Sequence, residues 1–395
     1  MQKITVHPCF IMILGMLSML PPLAIDMYLP SFLDIANDLQ TSQENVQATL
    51  AIFTAGFAAG QLFWGPIADS FGRKPIILLG LLGSTIASYF LTQTNDIQSF
   101  YLARLLQGLC GAAPAVVMGA LVRDMFERNQ FAQMMSMIMI VTMVAPLVAP
   151  IMGGYLAKHF HWHSIFYVLV AMGLLCMLLV AFRIPETLKA ENKAPINFGK
   201  VIKNFASVLS HKPTLGYVLL GGLSFAGMFC FLTSGSVVYI GMYGVSQEHF
   251  GYFFGLNIIV MIVMTMINGR YVVRIGSEKM LRIGLGLQLT AGIWLALCAI
   301  FGLGLWPMAI GVSVFVGMSS TIGSNASAAI LDHYPQMAGT ANAVAGTARF
   351  GVGSLIGFGL SLVPATSERP MLFAMAACII SGVAVYYFLS CKKEA

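Results

Sequence analysis

The stretch Gly65-Pro66-Ile67-Ala68-Asp69-Ser70-Phe71-Gly72-Arg73-Lys74 separates two long apolar segments and governs how they meet. Its glycines allow a tight turn between two antiparallel helices, and Asp69 with Arg73 supplies a local charge pair. A weakened copy, Gly269-Arg270-Tyr271-Val272-Val273-Arg274-Ile275-Gly276, lies 204 residues downstream and keeps the seven-residue spacing of the glycines. Val273 stands where the first copy has Asp69, so the second joint lacks the full set of charges.

Outward from this turn, the chain is 58% hydrophobic and only 9% charged, with a mean hydropathy of +0.83. Ordinary soluble domains carry about 25% charged residues, so a soluble protein of normal surface is excluded. The length holds about twelve spans of ~20 residues with short connections. Six apolar spans are predicted near 8–31, 46–65, 75–93, 98–120, 131–155 and 163–183. Six more follow near 214–238, 249–269, 280–302, 305–330, 337–363 and 370–390. The split between the tenth and eleventh rests on Asp332, His333, Tyr334 and Pro335. The expected organisation is a six-helix bundle over 1–184, a polar linker over 185–212 and a second bundle over 213–395. The first span is proline-bent, with no small-residue cleavage site after it, and reads as retained. None of the seven cysteines sits in a C-x-x-C pair, which argues for packing thiols and against a disulfide frame.

Charge placement orients the map. With the N-terminus in the cytoplasm, most of the 21 lysines and arginines fall on cytoplasmic segments, clustered at Arg73–Lys74, Arg123, Lys189–Lys212 and Arg270–Arg282. Outer segments hold only Lys158 and Arg369, against Asp34, Asp38, Glu44, Asp96, Glu248 and Glu368. The positive-inside rule therefore puts both termini in the cytoplasm. The net charge of +6 reports this topology and gives no sign of nucleic-acid binding.

Three charges remain inside apolar spans: Asp26, Arg104 and Arg349. A charged side chain at mid-bilayer costs roughly 2.5–3.5 kcal/mol, and such groups almost always face the bundle interior or a water-filled cavity. Asp26 lies in Pro21-Pro22-Leu23-Ala24-Ile25-Asp26-Met27-Tyr28-Leu29-Pro30, whose prolines disturb helical hydrogen bonding. It reads as a proton or substrate site, or as a surface acid beside an interfacial tyrosine. Each arginine reads as a cavity cation or as a snorkelling or helix-tying residue. His159, His161 and His163 alternate at the outer end of the fifth-to-sixth connection. They read as interfacial residues, with a metal site among them the less favoured alternative and no metal expected. Asn325 and Asn342 are polar candidates in the second half, suited to hydrogen bonds between helices.

The first turn, G-x-x-x-D-x-x-G-R-K, resembles the signature loop of the major facilitator superfamily, whose fold consists of two six-span halves related by a parallel repeat. Arg104-Leu105-Leu106-Gln107-Gly108 resembles the fourth-span motif of proton-coupled drug exporters. Ala145-Pro146-Leu147-Val148-Ala149-Pro150-Ile151-Met152-Gly153-Gly154 resembles their fifth-span antiporter motif, with Pro146, Pro150, Gly153 and Gly154 in register and Ala145 where many members have glycine. Asp26-Met27-Tyr28-Leu29-Pro30, Arg123-Asp124, Pro185-Glu186-Thr187-Leu188 and Ala338-Gly339-Thr340-Ala341 are similar to the bicyclomycin-resistance and chloramphenicol-efflux (Bcr/CflA) family. Arg349 departs from that pattern, standing where an uncharged residue is expected.

The resemblance implies an all-α membrane protein of twelve helices in the bacterial inner membrane. It implies a monomer that exports small molecules in exchange for protons by alternating access. Asp26 would carry the proton and Arg104 would tune its ionisation. Asp26, Tyr28, Gln107, Arg349 and Asn325 are the expected substrate cavity. Gly65, Asp69, Gly72, Arg73, Lys74 and Asp124 are the expected conformational latch, with Asp69 seated at the start of the eleventh helix. Its partners are the lipid bilayer, protons and a small-molecule substrate; no cofactor is expected, since no phosphate loop is present and the proton gradient supplies the energy. An alternative within this class is a dedicated exporter of an endogenous, possibly anionic metabolite. An enzyme is disfavoured, because no nucleophile–base or metal set falls within the spans. Two cavity arginines against one acid favour neutral, zwitterionic or anionic cargo.

Overall fold

The computed structural model describes residues 8–126, 128–189, 191, 193, 195–196 and 198–391. Twelve helices are long and apolar enough to cross a membrane. The first span is broken: α1 (Pro8–Asp26) gives way at Met27–Tyr28 to a 3-10 turn (Leu29–Ser31) and then α2 (Phe32–Asp38). The other spans of the first half are α3 (Gln43–Phe71), α4 (Arg73–Leu91), α5 (Ile97–Met125), α6 (Arg128–Phe160) and α7 (His163–Arg183). In the second half they are α9 (Lys212–Ser236, continued by a π turn to Met242), α10 (Gln247–Ile275), α11 (Ser277–Phe301), α12 (Leu305–His333), α13 (Ala338–Ser361) and α14 (Arg369–Leu389). The span count agrees with the sequence reading, although α3, α5, α6 and α12 run well past the apolar stretches that mark them. The polar stretch 185–212 also holds structure that was not expected, the helix α8 (Phe198–Ser210). Val208 is buried on it, and the Tyr334 hydroxyl donates to the Ser207 carbonyl at 3.2 Å.

The 204-residue offset of the two glycine turns extends through whole elements. Helix α3 begins after Ser42, whose hydroxyl accepts from the Asn45 amide, and α10 begins after Ser246, whose hydroxyl accepts from the His249 amide. Both helices are 29 residues long and end at glycines with positive φ, Gly72 at 117° and Gly276 at 90°. A side chain at either joint would be strained, so both turns require glycine. An even number of spans puts both chain ends at one face, called here the terminal face.

The halves meet chiefly at the opposite face. Asp34 accepts from Gln247 Nε2 at 2.8 Å, Lys158 pairs with Glu248 at 2.9 Å, and the Ala365 amide donates to Glu44 at 3.0 Å. One continuous apolar core links the second half to the opposite-face end of the first. A separate core (Ile13, Leu17, Ile77, Leu121 and Val180 among its members) fills the terminal-face end of the first half alone. This division places the described state as closed at the opposite face.

Two glycines of α6 permit close approaches, one within the first half and one between the halves. A β-carbon on Gly153 would overlap the carbonyl of Met27, at the break in the first span. One on Gly154 would lie 2.5 Å from the carbonyl oxygen of Gln247 in the second half. At the reciprocal position, a β-carbon on Gly251 of α10 would lie 2.9 Å from Ile151 Cα. Gly153→Val is expected to cost about 1–3 kcal/mol by overpacking. A lowered melting temperature of the purified protein checks this, and a melting curve like that of wild type would show that the approach is not tight.

Candidate functional site

The break in the first span creates the site. Pro21, Pro22 and Pro30 withhold amide donors, and α1 ends at Asp26, which is only 5% exposed. That burial rules out the reading of Asp26 as a surface acid. Tyr28, in the turn, is fully buried; Thr49 donates its only proton to the Val46 carbonyl, so the Tyr28 hydroxyl donates to Thr49 Oγ1 at 3.1 Å. The ring of Tyr28 lies under the guanidinium of Arg104, 4.2 Å from its centroid, with Phe53 on another side at 4.5 Å.

Arg104 has no exposed surface. Its Nη1 donates to the Ala24 carbonyl at 3.1 Å and to Gln107 Oε1 at 2.6 Å. Gln107 Nε2 donates in turn to Ser88 Oγ at 2.8 Å, and Ser88 donates to the Ser84 carbonyl, so a directed polar chain crosses from α5 to α4. A cavity of about 30 Å³ opens beside it, lined by Pro21, Ala24, Phe53, Ser88 and Gln107, with room for about one water. Nε and Nη2 of Arg104, the edge that grips a carboxylate side-on, have no hydrogen-bond partner. The expected contact between Arg104 and Asp26 is not formed: among the described residues no carboxylate pairs with Arg104, whose plane faces Tyr28 instead.

Arg349 lies on α13, half-buried, with its Nη2 beside Gly323 of α12. Its neighbour Phe350 packs edge-on against Phe57 of the first half at 4.8 Å and Phe225 at 5.1 Å. Arg349 thus lies one residue from the seam between the halves, with its guanidinium beside α12 of its own half. Asn325 does not line a cavity. Its amide donates to Asn268 Oδ1 and to the Thr321 carbonyl, both at 2.8 Å, and its oxygen accepts from Ser277 at 3.1 Å. Asn342 is exposed and ties no helices together.

At the terminal face, Arg73 bonds Asp69 and, through Nε at 3.2 Å, Asp124. The group lies wholly in the first half, and Asp69 is half-exposed rather than seated on α13. One member was missed as a contributor. Glu186, after α7, accepts from the amides of Arg73 and Lys74 at 3.0 and 3.1 Å, capping α4 where the helix dipole favours an anion. Lys74 Nζ donates to the Ala181 carbonyl at 2.7 Å. Glu186 was visible in the Pro185-Glu186-Thr187-Leu188 motif, but nothing local shows that it reaches back 113 residues. In the second half the joint is held by a smaller cluster: Glu278 binds the hydroxyls of Tyr217 and Tyr386 and pairs with Arg282 at 3.4 Å. Arg282 Nε donates to the Tyr386 hydroxyl at 3.1 Å, and Asn268, Asn325 and Ser277 bridge α10, α12 and α11. The exposed side chain of Val273 takes no part.

The histidines also separate. His159 stacks on Tyr155 near Glu248, whereas His161 and His163 gather with Asp38.

Twelve spans in two repeated halves, a broken first span, and a buried carboxyl and a buried arginine that do not pair are features of a transporter rather than an enzyme. The profile of the Major Facilitator Superfamily matches residues 12–358. The chain is 51% identical over 384 residues to the bicyclomycin resistance protein homolog of Haemophilus influenzae, covering 97% of this chain and 96% of that one. It is 27% identical to the multidrug resistance protein MdtL of Salmonella heidelberg, covering 96% and 94%. The crystal structure of a D-xylose-proton symporter superposes with a TM-score of 0.77 at 11% identity over 96% of this chain and 97% of that one, which speaks for the fold alone. The chain belongs to the major facilitator superfamily and, within it, to the bicyclomycin-resistance group.

Glu186→Ala is expected to destabilise the first half by about 0.5–2 kcal/mol through loss of the α4 cap. Thermal unfolding checks it; Glu186→Gln should recover part of the loss, because its amide oxygen still accepts.

Proposed function

We propose that this protein exports drugs or other small amphipathic molecules from the bacterial cytoplasm by exchanging them for protons, with both termini in the cytoplasm. The observation that carries the proposal is a buried carboxyl at the break of the first span, two residues from a tyrosine stacked on a fully buried arginine. The drug-resistance names of the relatives and the clustering of basic residues toward the terminal face support the same reading.

On this reading, the state closed at the opposite face takes cargo from the cytoplasm, between the halves, near Arg349, Phe57 and Phe350. Asp26 carries the proton, and the free Nε–Nη2 edge of Arg104 receives a carboxylate when the first span shifts. Arg104, Tyr28 and Gln107 hold that position ready; Asn325 holds the second half's scaffold. The cluster of Gly65, Asp69, Gly72, Arg73, Lys74 and Asp124 latches to the second half only when the terminal face closes. The contact of Gly154 with Gln247 is undone when the opposite face opens, while that of Gly153 with Met27 stays within the first half. A neutral drug exchanged for one proton moves one charge, worth roughly 2.3 kcal/mol per 100 mV. At 1.4 kcal/mol per tenfold, voltage alone sustains roughly a fifty-fold drug gradient.

In inverted vesicles with an acidified interior, adding an exported drug is expected to release protons with wild type and not with Asp26→Asn. Undiminished release by Asp26→Asn would remove Asp26 from the coupling role.

The alternative, a dedicated exporter of an anionic metabolite, draws on Arg349, a cation one residue from the seam with no acidic partner among the described residues. Arg349→Gln is expected to lower transport of anionic cargo about tenfold or more while sparing neutral cargo. An unchanged substrate profile, measured by competition for drug-driven proton release, assigns Arg349 a structural role.

A further inference from the structure

We propose that Asp38, His161 and His163 form a binding site for one divalent transition-metal ion, of the zinc type, at the face opposite the termini. One ligand atom from each residue lies within 4.8 Å of the other two, although Asp38 ends α2 and the histidines flank the α6–α7 turn more than 120 residues away.

The pieces are held in place by Trp162, the residue between the histidines. Its indole is buried and stacks on the His163 ring with centroids 3.6 Å apart. Its N–H donates to Asp38 Oδ2 at 2.9 Å, which orients the carboxylate and leaves Oδ1 for an ion. One side chain thus positions two ligands of different elements, the arrangement by which partners of metal ligands fix their geometry. His161 adopts φ 67°, a left-handed conformation uncommon for a residue with a side chain. That turn aims its ring at His163, and the two Nδ1 atoms are 2.9 Å apart. Two neutral imidazoles so placed share one proton between facing lone pairs. When the donor ring takes its other tautomer, with the proton on Nε2, both Nδ1 lone pairs are available to a metal ion, and nitrogens bound at about 2.0–2.1 Å to a tetrahedral zinc sit only slightly farther apart than these two.

Two imidazoles and one carboxylate are a donor set suited to zinc, with a fourth position open to water. The set is exposed to the opposite compartment. Lys158 lines the same cleft but is neutralised by Glu248 at 2.9 Å. All three ligands belong to the first half, so the site survives rocking of the halves. It also tethers the end of α2, whose Asp34 carries the cross-half bond to Gln247, to the α6–α7 turn.

The test uses purified, untagged, full-length protein in detergent, stripped of metal and titrated with Zn²⁺, with bound zinc counted after gel filtration. Co²⁺ absorption reports the geometry. One ion per chain is expected for wild type and for His159→Ala. His163→Ala, His161→Ala and Asp38→Asn are each expected to weaken binding at least about tenfold, and Trp162→Phe by about ten- to hundredfold. Zn²⁺ should raise the melting temperature of wild type and of His159→Ala, and not that of His163→Gln, which keeps a ring-sized polar group if alanine disturbs the turn. Absence of stoichiometric binding by wild type would overturn the proposal. So would equal weakening by His159→Ala and His163→Ala, or retention of wild-type affinity by both His161→Ala and His163→Ala.

Discussion

Inside a bilayer every backbone donor and acceptor must find a partner within the protein, and the break in the first span is where this structure meets that demand under most strain. The Met27 amide still reaches the Leu23 carbonyl at 3.1 Å, and the Ser31 amide reaches the Tyr28 carbonyl at 3.0 Å, so part of the helical bonding carries through the turn, while the buried Ser31 hydroxyl has no partner among the described residues. The turn then needs room, which α6 provides by having no side chain at Gly153, where the Met27 carbonyl rests. The position of the Asp26 carboxyl, the stacking of Tyr28 on Arg104 and the contact of α6 with α10 all follow from this approach. A larger residue at Gly153 would displace α1 and α6 together, and with them the face that is closed.

The two halves share a skeleton but not a chemistry. The 204-residue offset aligns Ser42 with Ser246 and Gly72 with Gly276, so caps and turns repeat. At the turns, however, the first half uses a cluster of Arg73, Asp69, Asp124 and Glu186, and the second uses amides, tyrosine hydroxyls and a single Glu278–Arg282 pair. An ion cluster at a water-exposed face can open and re-form at modest cost, because exposed ion pairs contribute only about 0–1 kcal/mol each. A buried amide network is costly to break, since each unpaired group loses its desolvation cost. The first half is therefore suited to carry the movable latch, and the second to serve as the rigid body against which it moves.

The spans, the repeat and the intramembrane charges were legible in the sequence because each is a local signal: apolar runs of bilayer length, a glycine spacing, a charge where charge is costly. What could not be read is what depends on distant segments meeting. Glu186 reaches back to the start of α4, and Asp38 meets His161 and His163, only because the bundle closes. Asn325 was legible as a hydrogen bonder between helices, as its bonds to Asn268 and Ser277 show, and only the family resemblance had placed it in the cavity. Asp26 was legible as the one acid available to two membrane arginines, but whether Arg104 touches it was not; the aromatic faces of Tyr28 and Phe53 were a competing partner with no charge to reveal it. The helix α8 went unread because its apolar residues, Val201, Phe205 and Val208 among them, form a run too short to cross a bilayer inside a segment rich in Lys, Asn and Pro.

The separation of Asp26 from Arg104 bears on how a single carboxyl could serve both proton and cargo. A carboxylate locked in a side-on pair with arginine would be a stable ion pair in every state and would resist protonation. A guanidinium held by Gln107, the Ala24 carbonyl and two aromatic rings keeps its charge in place without consuming the acid. Cation–π contacts suit this purpose, because they stabilise a desolvated cation by about 2 kcal/mol or more while leaving its in-plane edge free. On the proposed mechanism, the same edge is open when cargo enters and filled when the span has shifted. The energy difference between those two states is then set by one movable helix break rather than by a rearrangement of the whole bundle.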